Sequence, residues 1–212
     1  MIITKGFNMK KRLLIVILII CVMVPAALSA KVFDLSLGAN MQFAPDLAEI
    51  SGGEDVGALF SDFSNYAFGA DLRLKLLLAE VDLVGTFGQA ANDDFQISLL
   101  TTAGVSFDLF GFTRLGVGLG PNFTVIFGDG DPQVLDSDGT PVDFDSLGDA
   151  FIKSPLALRA TADFKIGKKM WLGASYTLNT EYTFENAAEV DKLFSADWNK
   201  GRFGVTLLFS FF

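Results

Sequence analysis

Asp71, Arg73 and Lys75 stand two residues apart, as do Glu80 and Asp82, and Asp163 and Lys165. In an extended chain that spacing projects each set to one side. Asp34, Arg114, Arg159, Glu181 and Arg202 fall in the same phase of their own segments. Such charges could do acid–base work, hold a structure together, or line a passage for small solutes. The rest of the composition narrows the choice. There is no histidine in the 212 residues, so no Ser-His-Asp arrangement can form. The carboxylate pairs Glu80 with Asp82 and Asp93 with Asp94 have no spacing that marks general acid–base catalysis. No phosphate-binding glycine loop precedes a helix. The single cysteine, Cys21, lies in an apolar run near the start, which leaves residues 31–212 without a disulfide or a Cys-based metal site. Ile20 stands before it, where a lipidated cysteine usually has a small residue. The chain reads as a non-enzyme with no cofactor.

The elements that carry these charges are strands. From Phe33 to Phe43 the odd positions are apolar and the even ones polar or small, an alternation with the period of a half-buried strand. The pattern recurs over 68–76, 80–88, 95–108, 114–127, 153–166, 172–184 and 202–211, giving eight two-faced strands and no second domain. The connections alternate between short ("FG" near 110, "GKK" at 167–169) and long (44–65, 128–150, 185–197). Short turns on one side and long loops on the other, with both termini on the short side, are features of up-and-down barrels that cross an outer membrane. Residues 1–30 read as a secretory signal: Lys10, Lys11 and Arg12, then the apolar stretch 13–24, then "PAALSA". Residues 31–212 form one barrel domain, with cleavage after Ser29 or Ala30 left open and Met9 an alternative start.

Alternation alone does not say which face meets lipid, since a soluble lipocalin-like barrel puts its apolar face inside. The polar face here is dominated by Gly, Ser, Thr and Asn with isolated charges of both signs, which suits a crowded interior better than water. The apolar face is therefore assigned to lipid. Phe33, Phe112, Trp171, Phe209 and Phe211 then fall near the short-turn end, and Phe43, Phe68, Phe87, Phe127, Tyr182, Phe184 and Trp198 near the long-loop end, as two interfacial girdles.

With its signal segment, eight alternating strands and the ending "GVTLLFSFF", the chain resembles the small eight-stranded bacterial outer-membrane barrels of the OmpA transmembrane-domain, OmpX and OmpW types, over all of residues 31–212. The resemblance implies an all-β, eight-stranded antiparallel up-and-down transmembrane β-barrel in the outer membrane after secretory export. It also implies outer-membrane lipid and the barrel-assembly machinery as partners, with Phe209, Phe211 and Phe212 as the assembly signal. Two features depart from the family. The lipid-facing register runs through Phe211, so either Phe211 is the terminal anchor or the last residues twist out of the strand. The polar lumen differs from the hydrophobic lumen of the OmpW type. The sites of the barrel enzymes that palmitoylate or deacylate lipid A depend on histidine and do not carry over.

The lumen set is then Asp34, Asp71, Arg73, Lys75, Glu80, Asp82, Arg114, Arg159, Asp163, Lys165, Glu181 and Arg202. It reads first as a salt-bridged plug that fixes register, and second as a charged passage given room by Gly104, Gly116, Gly118, Gly120, Gly173 and Gly204. The long-loop side holds 18 acids and one base, Lys192, so nucleic acid is disfavoured as a partner and divalent cations are candidates. In the loop 128–150, Asp136, Asp138, Gly139 and Asp145 take the third, fifth, sixth and twelfth places of an EF-hand, but Val134 occupies the first, and the motif fails. A hairpin turning at Ser137–Gly139 is the simpler expectation. Asn186 and Glu189 resemble a capping box for a short helix whose Val190, Leu193 and Phe194 pack on the rim. Two functions stay open: a narrow channel or structural barrel, and a surface-binding protein acting through its acidic loops. Oligomeric state is not legible.

Overall fold

A computed structural model describes residues 32–45, 47–52, 56–90, 94–137 and 139–212. The signal segment, Cys21, Asp93 and Asp138 lie outside the described residues. Among the described residues there are ten strands: β1 Phe33–Phe43, β2 Tyr66–Leu76, β3 Ala79–Gln89, β4 Phe95–Leu109, β5 Thr113–Phe127, β6 Gln133–Leu135, β7 Pro141–Val142, β8 Pro155–Lys165, β9 Met170–Thr183 and β10 Arg202–Ser210. Eight of them form a closed antiparallel barrel. Each barrel strand pairs with the next in sequence, β5 with β8 across the long loop, and β10 with β1 to close the ring. The small β6–β7 hairpin extends from β5 and turns where the sequence places it, with the Asp136 carboxylate accepting the Thr140 N–H at 2.9 Å.

The faces follow the alternation. Leu37, Leu72, Leu83, Leu99, Val117, Phe164, Leu172 and Val205, one from each barrel strand, point outward and are 38 to 52 % exposed. The inward side chains Ser36, Asp71, Asp82, Thr102, Arg114, Arg159, Ser175 and Thr206 are buried. This is the reverse of a water-soluble barrel. An apolar band around the whole circumference far exceeds the patches a protein in water tolerates, and it needs no shielding when the solvent is hydrocarbon.

Two of the short turns use backbone that apolar residues rarely adopt. Phe110 and Gly111 both have positive φ (54° and 72°), as a type I′ hairpin requires, and Leu77 at the β2–β3 turn has φ 57°. On the other side the long loops carry structure of their own. Helices Leu47–Ser51 and Val56–Ser61 lie between β1 and β2, and helix Leu147–Lys153 precedes β8, capped by the Ser146 hydroxyl, which accepts from Asp149 N. Val134 and Ala150 are fully buried against Val125, so the hairpin and this helix fold onto the end of β5.

Corrections concern the girdles and the last loop. Trp171 faces inward and is buried, because its parity is opposite to that of the outward Leu172. Phe43 is buried beneath Phe60, with ring centroids 4.7 Å apart. The capping box does not form. Asn186 instead accepts from Thr183 N and donates to Glu181 O, tying it to the end of β9, and the segment Val190–Phe194 is a 3-10 turn without a side-chain cap. Val190 and Phe194 are exposed rather than packed on the rim. At the other end, β10 stops at Ser210. Phe211 N still donates to Leu35 O, while Phe212 leaves the strand and its ring lies 5.7 Å from that of Phe33 on the outer surface. Phe209 and Phe211 face outward and exposed.

Candidate functional site

The lumen is built from register. Arg114 on β5 stands opposite Asp108 on β4 and Asp163 on β8, Lys75 opposite Asp34 and Glu80, and Arg73 opposite Asp82. Glycines face the bulkiest groups: Gly118 opposite Arg159, Gly38 opposite Asp71, Gly173 opposite Asp163. A Cβ on Gly173 would come within 2.3 Å of Asp163 Oδ1. An eight-stranded barrel has only enough interior for its side chains to fill, so each large charge needs a small residue beside it.

Two ion-pair clusters result. Nearer the short turns, Lys75 Nζ lies 2.7 Å from Asp108 Oδ2, and Arg114 donates to Asp108 at 2.8 Å and to Asp34 at 3.1 Å. The Asp34 carboxylate also accepts from the hydroxyls of Ser36 and Ser210, at 2.6 and 3.0 Å. The Arg114 guanidinium sits 4.9 Å over the Trp171 ring, a cation–π contact that adds to its ion pairs. At mid-barrel, Arg73 donates to Asp163 at 2.6 Å and to Asp71 at 3.0 Å, and Arg159 bridges Asp71 at 2.7 Å and Asp82 at 2.9 Å. Arg73, Arg114 and Arg159 are at most 2 % exposed. Charges this deep must be paired, and each of these cations is held by at least two carboxylates.

Toward the long loops the lumen becomes neutral. Asn40 donates to Thr206 at 2.6 Å, Ser98 and Thr124 share a 2.7 Å hydrogen bond, and Asn122 donates to Asn179 at 2.9 Å. Asn40, Ser98 and Asn122 line a cavity of about 20 Å³, into which Val84 and Leu100 also point and whose wall includes Arg159. That is room for a single water. Its carboxylates are largely committed to guanidinium groups.

No family model matches the chain, and no curated protein matches it. Among solved structures it is similar to Neisserial surface protein A, in a crystal structure, at 13 % identity and a TM-score of 0.39, covering 85 % of this chain and 96 % of that one. A likeness this loose carries no argument about function, which rests here on the geometry.

Nine of the sequence-derived lumen charges come together: Asp34, Asp71, Arg73, Lys75, Glu80, Asp82, Arg114, Arg159 and Asp163. Three do not. Lys165 is exposed at the short-turn rim with its Nζ 5.7 Å from the Trp171 ring, Glu181 is exposed at the long-loop rim, and Arg202 is half-buried at the start of β10. All three lie near strand ends, where the lumen opens to water. Asp108 was missed as a member of the network although its phase is that of the polar face. Its place opposite Arg114 across the "FG" turn was the available signal.

The loop acids have local duties. Asp62 and Asp197 accept backbone N–H groups at the starts of the turns Phe63–Asn65 and Trp198–Lys200. Hydrogen bonds from Ser64 hold the Asp62 carboxyl below its ordinary value. Asp149 is held low by its hydrogen bond with Lys153, which is itself pushed up. Among the described residues no group of three or more acids, histidines or cysteines is placed to hold a metal ion.

Proposed function

We propose that the chain is a bacterial outer-membrane barrel whose lumen is closed by its ion-pair network, a structural barrel that presents its long loops at the cell surface. The observation that carries this reading is the burial of Arg73 and Arg159 at mid-barrel and of Arg114 nearer the short turns, each bridging carboxylates from different strands. A conducting pore would need water around these groups, and water would weaken the pairs that hold them. The outward apolar band supports membrane insertion, and the absence of histidine argues against catalysis of the kinds known on such barrels. The test is planar-bilayer recording of the refolded protein. The proposal expects conductance at background, and large stable currents would sink it.

A second reading, binding at the surface, is favoured by the loop crown. Phe60, Phe63, Phe151, Phe194 and Trp198 are exposed among the loop acids, a combination of apolar anchors and charge that suits a partner better than water alone. Deletion of residues 130–144, followed by a cell-binding comparison with the intact protein, separates a surface role from a purely structural one.

A further inference from the structure

Buried charge in the lumen does not balance. The buried charged groups of the lumen are six carboxylates (Asp34, Asp71, Glu80, Asp82, Asp108 and Asp163) and four cations (Arg73, Lys75, Arg114 and Arg159). The mid-barrel cluster holds three carboxylates against two arginines, and Glu80, opposite Lys75, makes a third acid against Lys75 and Arg114 in the other. The two excesses meet where Glu80 and Asp82 project side by side from β3.

At that place there is a second, smaller cavity, between β3, β4, β5 and β8. Glu80, Asp82, Thr102 and Thr161 line it, and Gly116 and Gly118 leave it open. Its volume is about 10 Å³, room for one water-sized particle. Three buried oxygens around it have no hydrogen-bond partner: Glu80 Oε2, Asp82 Oδ1 and Thr161 Oγ1. The nearest ion pair to Asp82 Oδ1 is Arg73 Nε at 4.0 Å, beyond hydrogen-bond reach. Arg159 also borders the cavity, but its guanidinium is directed to Asp82 Oδ2 and Asp71 Oδ2. Unpaired buried carboxylate oxygens are among the costliest groups a protein can hold. The glycines are needed for the space, since a Cβ on Gly116 would lie 2.6 Å from Thr161 Oγ1 and 3.1 Å from Glu80 Oε1.

We propose that this cavity binds one monovalent alkali cation, sodium or potassium, through Glu80, Asp82 and Thr161. Two carboxylates and a hydroxyl fall short of the six to eight oxygens calcium takes, and the space admits one small ion, which would offset one of the two excess charges. The site goes beyond the closed-barrel reading, because it gives the lumen a ligand of its own.

The test is urea unfolding of the refolded full chain in sodium, potassium, calcium and choline chlorides at equal ionic strength. A ligand bound only by the folded state lowers the unfolding constant about 11-fold at ten times its dissociation constant, so a saturable response of that kind to sodium or potassium is expected. Glu80→Gln should abolish the response and make the protein more stable than the wild type in choline, because it removes one of the excess charges. Gly116→Ala should abolish it by filling the space, while Glu181→Gln at the exposed rim retains it. Should the variants fail to fold, rubidium-soaked crystals of the wild-type protein must show anomalous density between Glu80 and Asp82. Equal unfolding in every salt, a response to calcium alone, density elsewhere, or a salt-independent stability that falls as pH rises through the carboxylate range would each overturn the proposal; the last would mean a shared proton.

Discussion

Replacing Arg159 probes the lumen most directly, because its guanidinium joins Asp71 to Asp82 and its side chain borders both cavities. Arg159→Ala removes two charge-assisted hydrogen bonds of 2.7 and 2.9 Å and leaves Asp82 with only Arg73, at 4.0 Å. Breaking a buried ion pair by deleting one partner costs about 3–5 kcal/mol, which is roughly a two-hundred- to several-thousand-fold loss in the folding constant. Arg159→Met removes the same charge and keeps most of the volume. Both variants should therefore unfold from lipid vesicles at clearly lower urea. Only the alanine should leak in bilayer recordings, because it alone removes the wall between the two cavities that Arg159 borders. If both unfold at the wild-type urea concentration, the network does not hold the barrel. If the methionine variant leaks as much as the alanine, charge rather than bulk closes the lumen.

Val117→Arg, on the outward face in the middle of β5, should cost about 2–4 kcal/mol in vesicle refolding, whereas Lys168→Glu in the exposed β8–β9 turn should stay within about 0.5 kcal/mol; equal effects would reverse the facing. Gly173→Ala places a methyl 2.3 Å from Asp163 Oδ1 and should destabilise by about 1–3 kcal/mol in urea titrations. Gly85→Ala, with nothing within 4 Å, is the matched control and should lose little. The Asp149–Lys153 pair predicts the acid response of the loop helix. Because Asp149 lies below its ordinary value of 3.8, its contribution is complete above 3.8 and disappears as pH falls through the lower folded value. Hydrogen exchange at residues 147–153 should speed up only below that point, and fraying already at pH 5 would contradict the pairing.

The barrel was legible in the sequence because lipid and lumen impose opposite demands on successive residues, so facing could be read from parity in all eight strands. Where a guess about residue type competed with parity, parity was the better guide. Trp171 was assigned to a girdle because it is aromatic and near a strand end, yet its odd position beside the outward Leu172 sends it inward over which Arg114 lies. Leu208 is fully buried for the same reason, next to the outward pair Leu207 and Phe209. The network's membership was mostly visible, but its pairing was not. Arg73 meets Asp163 and Arg114 meets Asp34 only through barrel closure and shear, which no local pattern encodes. The helices within 44–65 went unseen because each is too short to show a period. Asn186 was misread because its side chain ends a strand, and the same residue type serves either purpose.

Closure has a consequence for the order of folding. Asp108 with Arg114 and Asp71 with Arg73 can meet within a hairpin or a strand, but Arg73 with Asp163, Arg114 with Asp34 and Arg159 with Asp71 are separated by 90, 80 and 88 residues. A chain with seven strands in place would still hold these groups without their partners, and they would keep their water. The last pairing, β1 to β10, therefore dehydrates the whole set at once. Closure is therefore expected as a late, cooperative step, and the interactions made only in it should slow unfolding of the barrel more than they speed its folding.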